Sequence, residues 1–292
     1  QHIYYIDSNF VKEHASQYVL SIRYATDGLS FCVHAPNNRL LAFFYQPFRV
    51  DSIDAVIAKV KQMLVEEELL HLNYRKVYLL PCNKEKMLLP AQEFDKETVA
   101  DMYRLCLHTD KNETLIYRKI RGIEMYLVES LPRNFVTFLT TRYPSLYIAN
   151  SAYPFITHSL SNILFNGFNL FIDIHERYFD LLLTKSSDIL LFNSFAYGSV
   201  NDMAYYALNC LEQCQAGREQ LQTTLSGNLV NDPILTETLG KYLPNIAVLN
   251  YAPLSQLVQN NELNSSTFIH LLNIQNANNQ RFPQRKTNLS GQ

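Results

Sequence analysis

Apolar positions run or alternate over residues 18–25 (YVLSIRYA), 29–35 (LSFCVHA) and 39–48 (RLLAFFYQPF), and turn formers close each run. That pattern predicts three consecutive β-strands. Asp27-Gly28 separates the first two, the strongest short hairpin signal, and Pro36-Asn37-Asn38 separates the second from the third. Ile53, Val56, Ile57, Val60, Met63 and Leu64 then share one stripe of 3.6-residue period, which predicts a helix capped by Asp51 or Ser52. Lys76–Leu80 reads as a short buried strand ended by Pro81.

The same order returns in the second half. NLFIDIHERYFDLLLT, a turn at Lys185–Asp188, ILLFNSF, a helix over Val200–Cys214 and the strand and turn LQTTLSGN follow one another. At an ungapped offset of 150, Leu20 falls on Leu170, Ile22 on Ile172, Phe31 on Leu181, Val33 on Leu183, and Leu40 and Leu41 on Leu190 and Leu191. A repeat of this length predicts a duplicated domain, not a solenoid. Between the copies the pattern predicts a helix at Met102–Leu107, two strands over Thr114–Ser130 broken at Gly122, and a helix at Pro132–Tyr143. A strand at Ser145–Asn150 and a linking helix at Ala152–Phe165 complete this middle part. Later elements are a helix at Pro233–Tyr242, a strand at Ile246–Asn250 and a helix at Ser265–Gln275. The expected division is a first lobe over 1–162, a second over 163–275, and a polar tail over 276–292, read as disordered or as a contact arm.

Glycine changes the functional picture. There are eight in 292 residues, and no two fall at G-x-G or G-x-x-x-x-G-K spacing. Rossmann and P-loop phosphate sites are thereby excluded, since both need clustered glycines. A net charge of −2 argues against nucleic-acid binding. Five scattered cysteines suit reduced thiols in the cytoplasm, and no apolar stretch is long enough to span a membrane. The dispersed histidines predict no metal ligands.

The layout of two strand hairpins each followed by strand and helix, a linking helix, and a late strand–glycine turn–helix resembles the actin-like ATPase superfamily. That group includes actin, sugar kinases, heat-shock chaperones, and bacterial cell-division and pilus-assembly proteins. In order and size the chain is most similar to the pilus-assembly branch, and it also resembles a Bacteroidetes family of unknown function with this fold. The resemblance implies an α/β protein of two ribonuclease H-like lobes, each a mixed five-stranded sheet flanked by helices.

It also implies three nucleotide segments. The first, D-x-G-x-T/S, corresponds to Arg23-Tyr24-Ala25-Thr26-Asp27-Gly28, with Arg23 at the Asp position that organises magnesium and Ala25 at the Gly position. The second, apolar-D-x-G-G-G-T-x-D, corresponds to Ile172 through Asp180. It keeps Asp173 but carries His175, Glu176 and Arg177 for the glycines. The third is Ser226-Gly227-Asn228 at the adenosine turn, where Asn tolerates left-handed angles. Bulky residues keep backbone amides from wrapping phosphate, and a cation repels Mg²⁺. Asp173 with His175 forms either an acid/base pair or two residues sharing one strand face. The expectation is a non-hydrolysing member that binds no cofactor and acts as a scaffold for a protein partner. The alternative is an ATPase or kinase, with ATP and Mg²⁺, in which Arg23 or Arg177 replaces metal charge and Asp173 is the base.

Overall fold

The structure, a computed structural model, describes residues 2–48, 50, 52–107, 112–163, 166–227, 232–249, 268, 270–272 and 274. Asp51, Asn228, the tail 276–292 and most of the segment 265–275 therefore lie outside the described residues. In chain order the strands are β1 (Ile3–Ile6), β2 (Val19–Ala25), β3 (Gly28–His34), β4 (Leu40–Pro47), β5 (Lys76–Pro81), β6 (Lys86–Pro90), β7 (Glu113–Lys119), β8 (Met125–Pro132), β9 (Leu146–Ile148), β10 (Phe168–Ile174), β11 (Tyr178–Lys185), β12 (Asp188–Ala196), β13 (Leu221–Gly227) and β14 (Ile246–Val248). The helices are α1 (Ile53–Glu66), α2 (Val99–Leu107), α3 (Arg133–Arg142), α4 (Ala152–Ser161), α5 (Val200–Gln213) and α6 (Pro233–Gly240).

Two mixed sheets carry the two lobes. The second has the order β12-β11-β10-β13-β14. The first repeats it as β4-β3-β2-β5-β9 and adds β1 as a sixth strand beside β4. Directions match as well: each hairpin is antiparallel to its third strand, and the two later strands run parallel to the first. A β-bulge interrupts β3–β4 between Val33 and His34, and another interrupts β11–β12 between Leu183 and Thr184.

The offset of 150 holds through the hairpins, where Ile22 faces Phe31 and Ile172 faces Leu181. It does not hold ungapped. Ala42 and Leu191 occupy corresponding places opposite Val33 and Leu183, an offset of 149, and the helix caps Ser52 and Ser199 differ by 147. Shorter connections in the second copy absorb the difference. The first turn also differs from expectation. Ala25 pairs with Gly28, so Thr26 and Asp27 form the turn and Gly28 opens β3. Glycine is required there because a Cβ would stand 2.5 Å from the Gln46 carbonyl oxygen of β4.

Burial explains the alternation. Leu20, Ile22, Phe31 and Val33 form one core cluster with Val56, Val60 and Leu64 of α1. Leu170, Ile172, Leu181 and Leu183 do the same with Met203, Ala207 and Leu211 of α5. Each such side chain contributes about 1.5–3 kcal/mol of transfer free energy. Ser52 caps α1, and Ser199 with Asp202 forms a capping box on α5.

The opposite sheet faces meet the rest of the chain. Val19, Cys32, Phe43, Tyr78 and Leu80 of the first sheet are covered by Phe268, Leu271, Leu272 and Ile274, of which 271, 272 and 274 are helical. Phe171 and Leu182 of the second pack with Tyr153, Phe155 and Ile156 of α4 and with Leu127 of β8. A third sheet, β6-β8-β7, is inserted in the first half: β6 follows β5, and β7 and β8 lie between α2 and α3. β1 and β6 give no sequence signal of their own, being short and unalternating.

Candidate functional site

The second hairpin places two carboxylates side by side. Asp173 of β10 faces Asp180 of β11 directly, and both are almost fully buried. Like charges opposite one another on a sheet repel, so the pair needs compensation. Two serines bracket it at the same level: Ser226 of β13 donates to Asp173 Oδ1 at 2.7 Å, and Ser194 of β12 donates to Asp180 Oδ1 at 2.5 Å. Each carboxylate is thereby left with Oδ2 facing the space between the lobes.

Cationic and basic groups fill that space from three directions. Lys86 of β6, itself fully buried, bonds to Asp180 Oδ2 and lies 4.9 Å from the Tyr178 ring centre. His175 folds back from the hairpin loop. Its Nε2 lies 3.2 Å from Asp173 Oδ2 and 3.5 Å from Asp180 Oδ2, and its ring stacks on Tyr178 at 4.2 Å. His270 brings Nε2 to 3.0 Å from Asp173 Oδ2. Neither imidazole nitrogen has a hydrogen-bond partner in line with it, although both are buried.

Burial alone would raise both aspartates. The imidazoles of His270 and His175 outweigh it at Asp173 and hold that carboxyl well below the usual range. Lys86 and His175 do the same at Asp180. Burial opposes the charged form of His175, but Asp173 and Asp180 prevail and raise its value. Next to Lys86 across β6–β8 stands Glu129, which accepts from the Ser151 amide at 2.8 Å and the Ser151 hydroxyl at 2.9 Å. Burial pushes Glu129 up to about 8, despite partial relief from Lys86 and Ser151.

The first hairpin solves its charge locally. Arg23 forms a two-pronged pair with Asp27, Nη1–Oδ1 and Nη2–Oδ2 both at 3.1 Å, and both residues are buried. Burial would lower the guanidinium, but Asp27 raises it. Thr26 sits half-buried in the turn and Gly28 begins β3.

In the second hairpin the His175 amide donates to Tyr178 O at 2.9 Å and its carbonyl accepts from the Tyr197 hydroxyl at 2.6 Å, so this backbone is committed within the loop. Arg177 points outward and is exposed. At the third segment, Gly227 has φ +90°, and a Cβ there would stand 2.2 Å from Ile174 O. This glycine lets β13 close against β10. Asn228 lies outside the described residues.

The structure thus gathers Asp173, His175 and Ser226, holds Arg23 with Asp27 on the other hairpin, and leaves Arg177 outside. The dispersed histidines predict no metal site. The hairpin nevertheless brings ligand atoms of Asp173, His175 and Asp180 within 4.8 Å of one another. Sequence reasoning missed Lys86, Glu129 and His270, which come from distant segments. Asp180 was within reach: a hairpin closed between His175 and Tyr178 sets it opposite Asp173.

A family model for proteins of unknown function, DUF3822, matches residues 7–246. The chain belongs to the DUF3822 family. A Bacteroides thetaiotaomicron protein with actin-like ATPase fold and unknown function shares 23% identity with this DUF3822 chain. The match covers 86% of this chain and 98% of that one, with a TM-score of 0.77. A PilM–PilN type IV pilus biogenesis complex gives 12% identity, coverage of 91% and 99%, and a TM-score of 0.54. These likenesses show the fold: this DUF3822 member has a two-lobed actin-like fold. No curated relative matches its sequence. Among the described residues, no helix is long and apolar enough to cross a membrane.

Proposed function

We propose that this DUF3822 protein is a non-hydrolysing actin-like protein that serves as a protein-interaction or assembly scaffold in the cytoplasm. The observation that carries this reading is the occupation of the interlobe face by paired side chains. Asp180 is bonded by Lys86, Asp173 is faced by two imidazoles, and Arg23 is saturated by Asp27. Phosphoryl transfer depends on free cationic groups and backbone amides positioned around phosphate. Here the cation at the first segment would repel Mg²⁺, and the His175 amide is already bonded. The residues do not fit magnesium nucleotide.

Three further points support the reading. The fold relative PilM was solved in complex with PilN, which supports partner binding by this chain. Matching strand orders and matching bulges support descent of lobes 1–162 and 163–275 from one duplicated unit, with 276–292 as a polar tail. All five cysteines are unpaired, which suits a reducing compartment.

Calorimetric titration with ATP, with and without Mg²⁺, is expected to give no heat of binding at millimolar concentration. Magnesium-dependent ATP turnover that disappears in Asp173→Ala would overturn the reading.

A further inference from the structure

Three side chains present metal-ligating atoms to one another in one buried cluster, and a fourth adjoins it. Asp173, His175 and Asp180 have ligand atoms within 4.8 Å of one another, and His270 joins through Asp173. The individual separations are 3.0, 3.2 and 3.5 Å. Bonds of 2.0–2.2 Å at the tetrahedral angle put ligand atoms about 3.3–3.6 Å apart, so these values are close to the edges of a zinc coordination sphere. Both imidazole Nε2 atoms are buried and lack an aligned hydrogen-bond partner, so each can turn a lone pair to an ion on losing its proton.

The surroundings are those of a built site. Ser226 and Ser194 each hold the outer oxygen Oδ1 of one aspartate and turn Oδ2 toward the imidazoles, with Lys86 also donating to Asp180 Oδ2. Hydrogen bonds of this kind orient ligating carboxylates. Tyr178 fixes the His175 ring by stacking, and Phe155 meets the His270 ring edge-on at 5.8 Å. Ligation requires the neutral imidazole, so an ion here displaces a proton and takes over the compensation of the two carboxylates. Lys86 then donates to a ligating oxygen from outside the coordination sphere. The two imidazoles, each about a tenth exposed, give the route of entry.

We propose that Asp173, His175, Asp180 and His270 bind a divalent transition-metal ion, with zinc the best match to their nitrogen and oxygen donors. Three ligands stand on the β10–β11 hairpin. The fourth belongs to a segment whose Phe268 packs 5.1 Å from Phe43 and 5.0 Å from Tyr45 of the first sheet. The ion would therefore join the second hairpin to the element covering the first lobe. This site does not depend on the scaffold reading.

The full chain, stripped with a chelator and dialysed, is titrated with Zn²⁺ by calorimetry and with Co²⁺ by visible absorption. The expected result is one ion per chain at micromolar or tighter Kd, Co²⁺ bands of four-coordinate strength, and a higher Tm with metal. His175→Gln and His270→Gln should each weaken binding by about a hundredfold or more. If those variants do not fold, Ser226→Ala, which frees the far oxygen of Asp173, should weaken it about tenfold. Absence of stoichiometric binding up to millimolar metal would overturn the proposal, as would binding that the folded variants leave unchanged.

Discussion

The two hairpins share a backbone frame and use it in opposite ways. At one level of the first sheet stand Tyr45, Ser30, Arg23 and Leu80; at the matching level of the second stand Ser194, Asp180, Asp173 and Ser226. The first row carries one charge, and Asp27, four residues on, neutralises it within the same turn. The second row carries two like charges, and their compensation arrives from Lys86, 94 residues upstream of Asp180, and from His270. One hairpin is electrostatically complete by itself. The other is complete only when the whole chain is folded, so coupling between the lobes is concentrated in the second.

The largest test of that contrast removes the distant cation. Lys86→Met, in chelator-treated protein, leaves Asp180 buried against Asp173 and should cost about 3–5 kcal/mol in urea unfolding. A loss below 1 kcal/mol would remove the asymmetry between the hairpins. The next test uses pH. The folded pKa of Glu129, about 8, lies above the ordinary value of 4.5, so its contribution to stability is intact below the latter and lost progressively until the pH passes 8. His175 has the same sign, while Asp173 and Asp180 have the opposite one and lose their contribution in acid. Between pH 5 and 9, Glu129→Gln should lose less stability than the parent by on the order of 3 kcal/mol. Parallel urea profiles would count against a protonated Glu129 beside Lys86.

Smaller effects sharpen the comparison. Gly227→Ala must accept φ +90° and a Cβ against Ile174 O, and should cost about 2–3 kcal/mol in thermal or urea melts. Arg23→Met should cost about 2 kcal/mol, less than Lys86→Met, because the released Asp27 sits at a turn and has no carboxylate opposite it. A larger loss for Arg23 than for Lys86 would reverse the ranking of the two hairpins.

Local pattern carried most of the fold. The strands flanking Gly28 and Tyr178, the stripe of α1 and the extent of α5 were all readable, because periodicity and turn chemistry act over a few residues. The turn falls at Thr26-Asp27, one residue before the Asp-Gly expectation, and the close approach of the Gln46 carbonyl to Gly28 is a contact that only the folded sheet supplies. The site divides in the same manner. Asp173, His175 and Arg23 stand in the segments to which the resemblance to actin-like proteins points. Lys86 and His270 lie in ordinary-looking stretches, and tertiary packing alone brings them to the aspartates.

The bulge between Leu183 and Thr184 acts as a phase setting. Counting back from the Lys185–Asp188 pair without it, Asp180 would lie opposite Asn193, an exposed side chain directed to the other side of the sheet. One supernumerary residue near the turn advances the strand by a step, and the hydroxyl of Ser194 arrives beside the carboxylate instead. A single unpaired position close to the surface thus decides which chemistry reaches the buried interior four residues away.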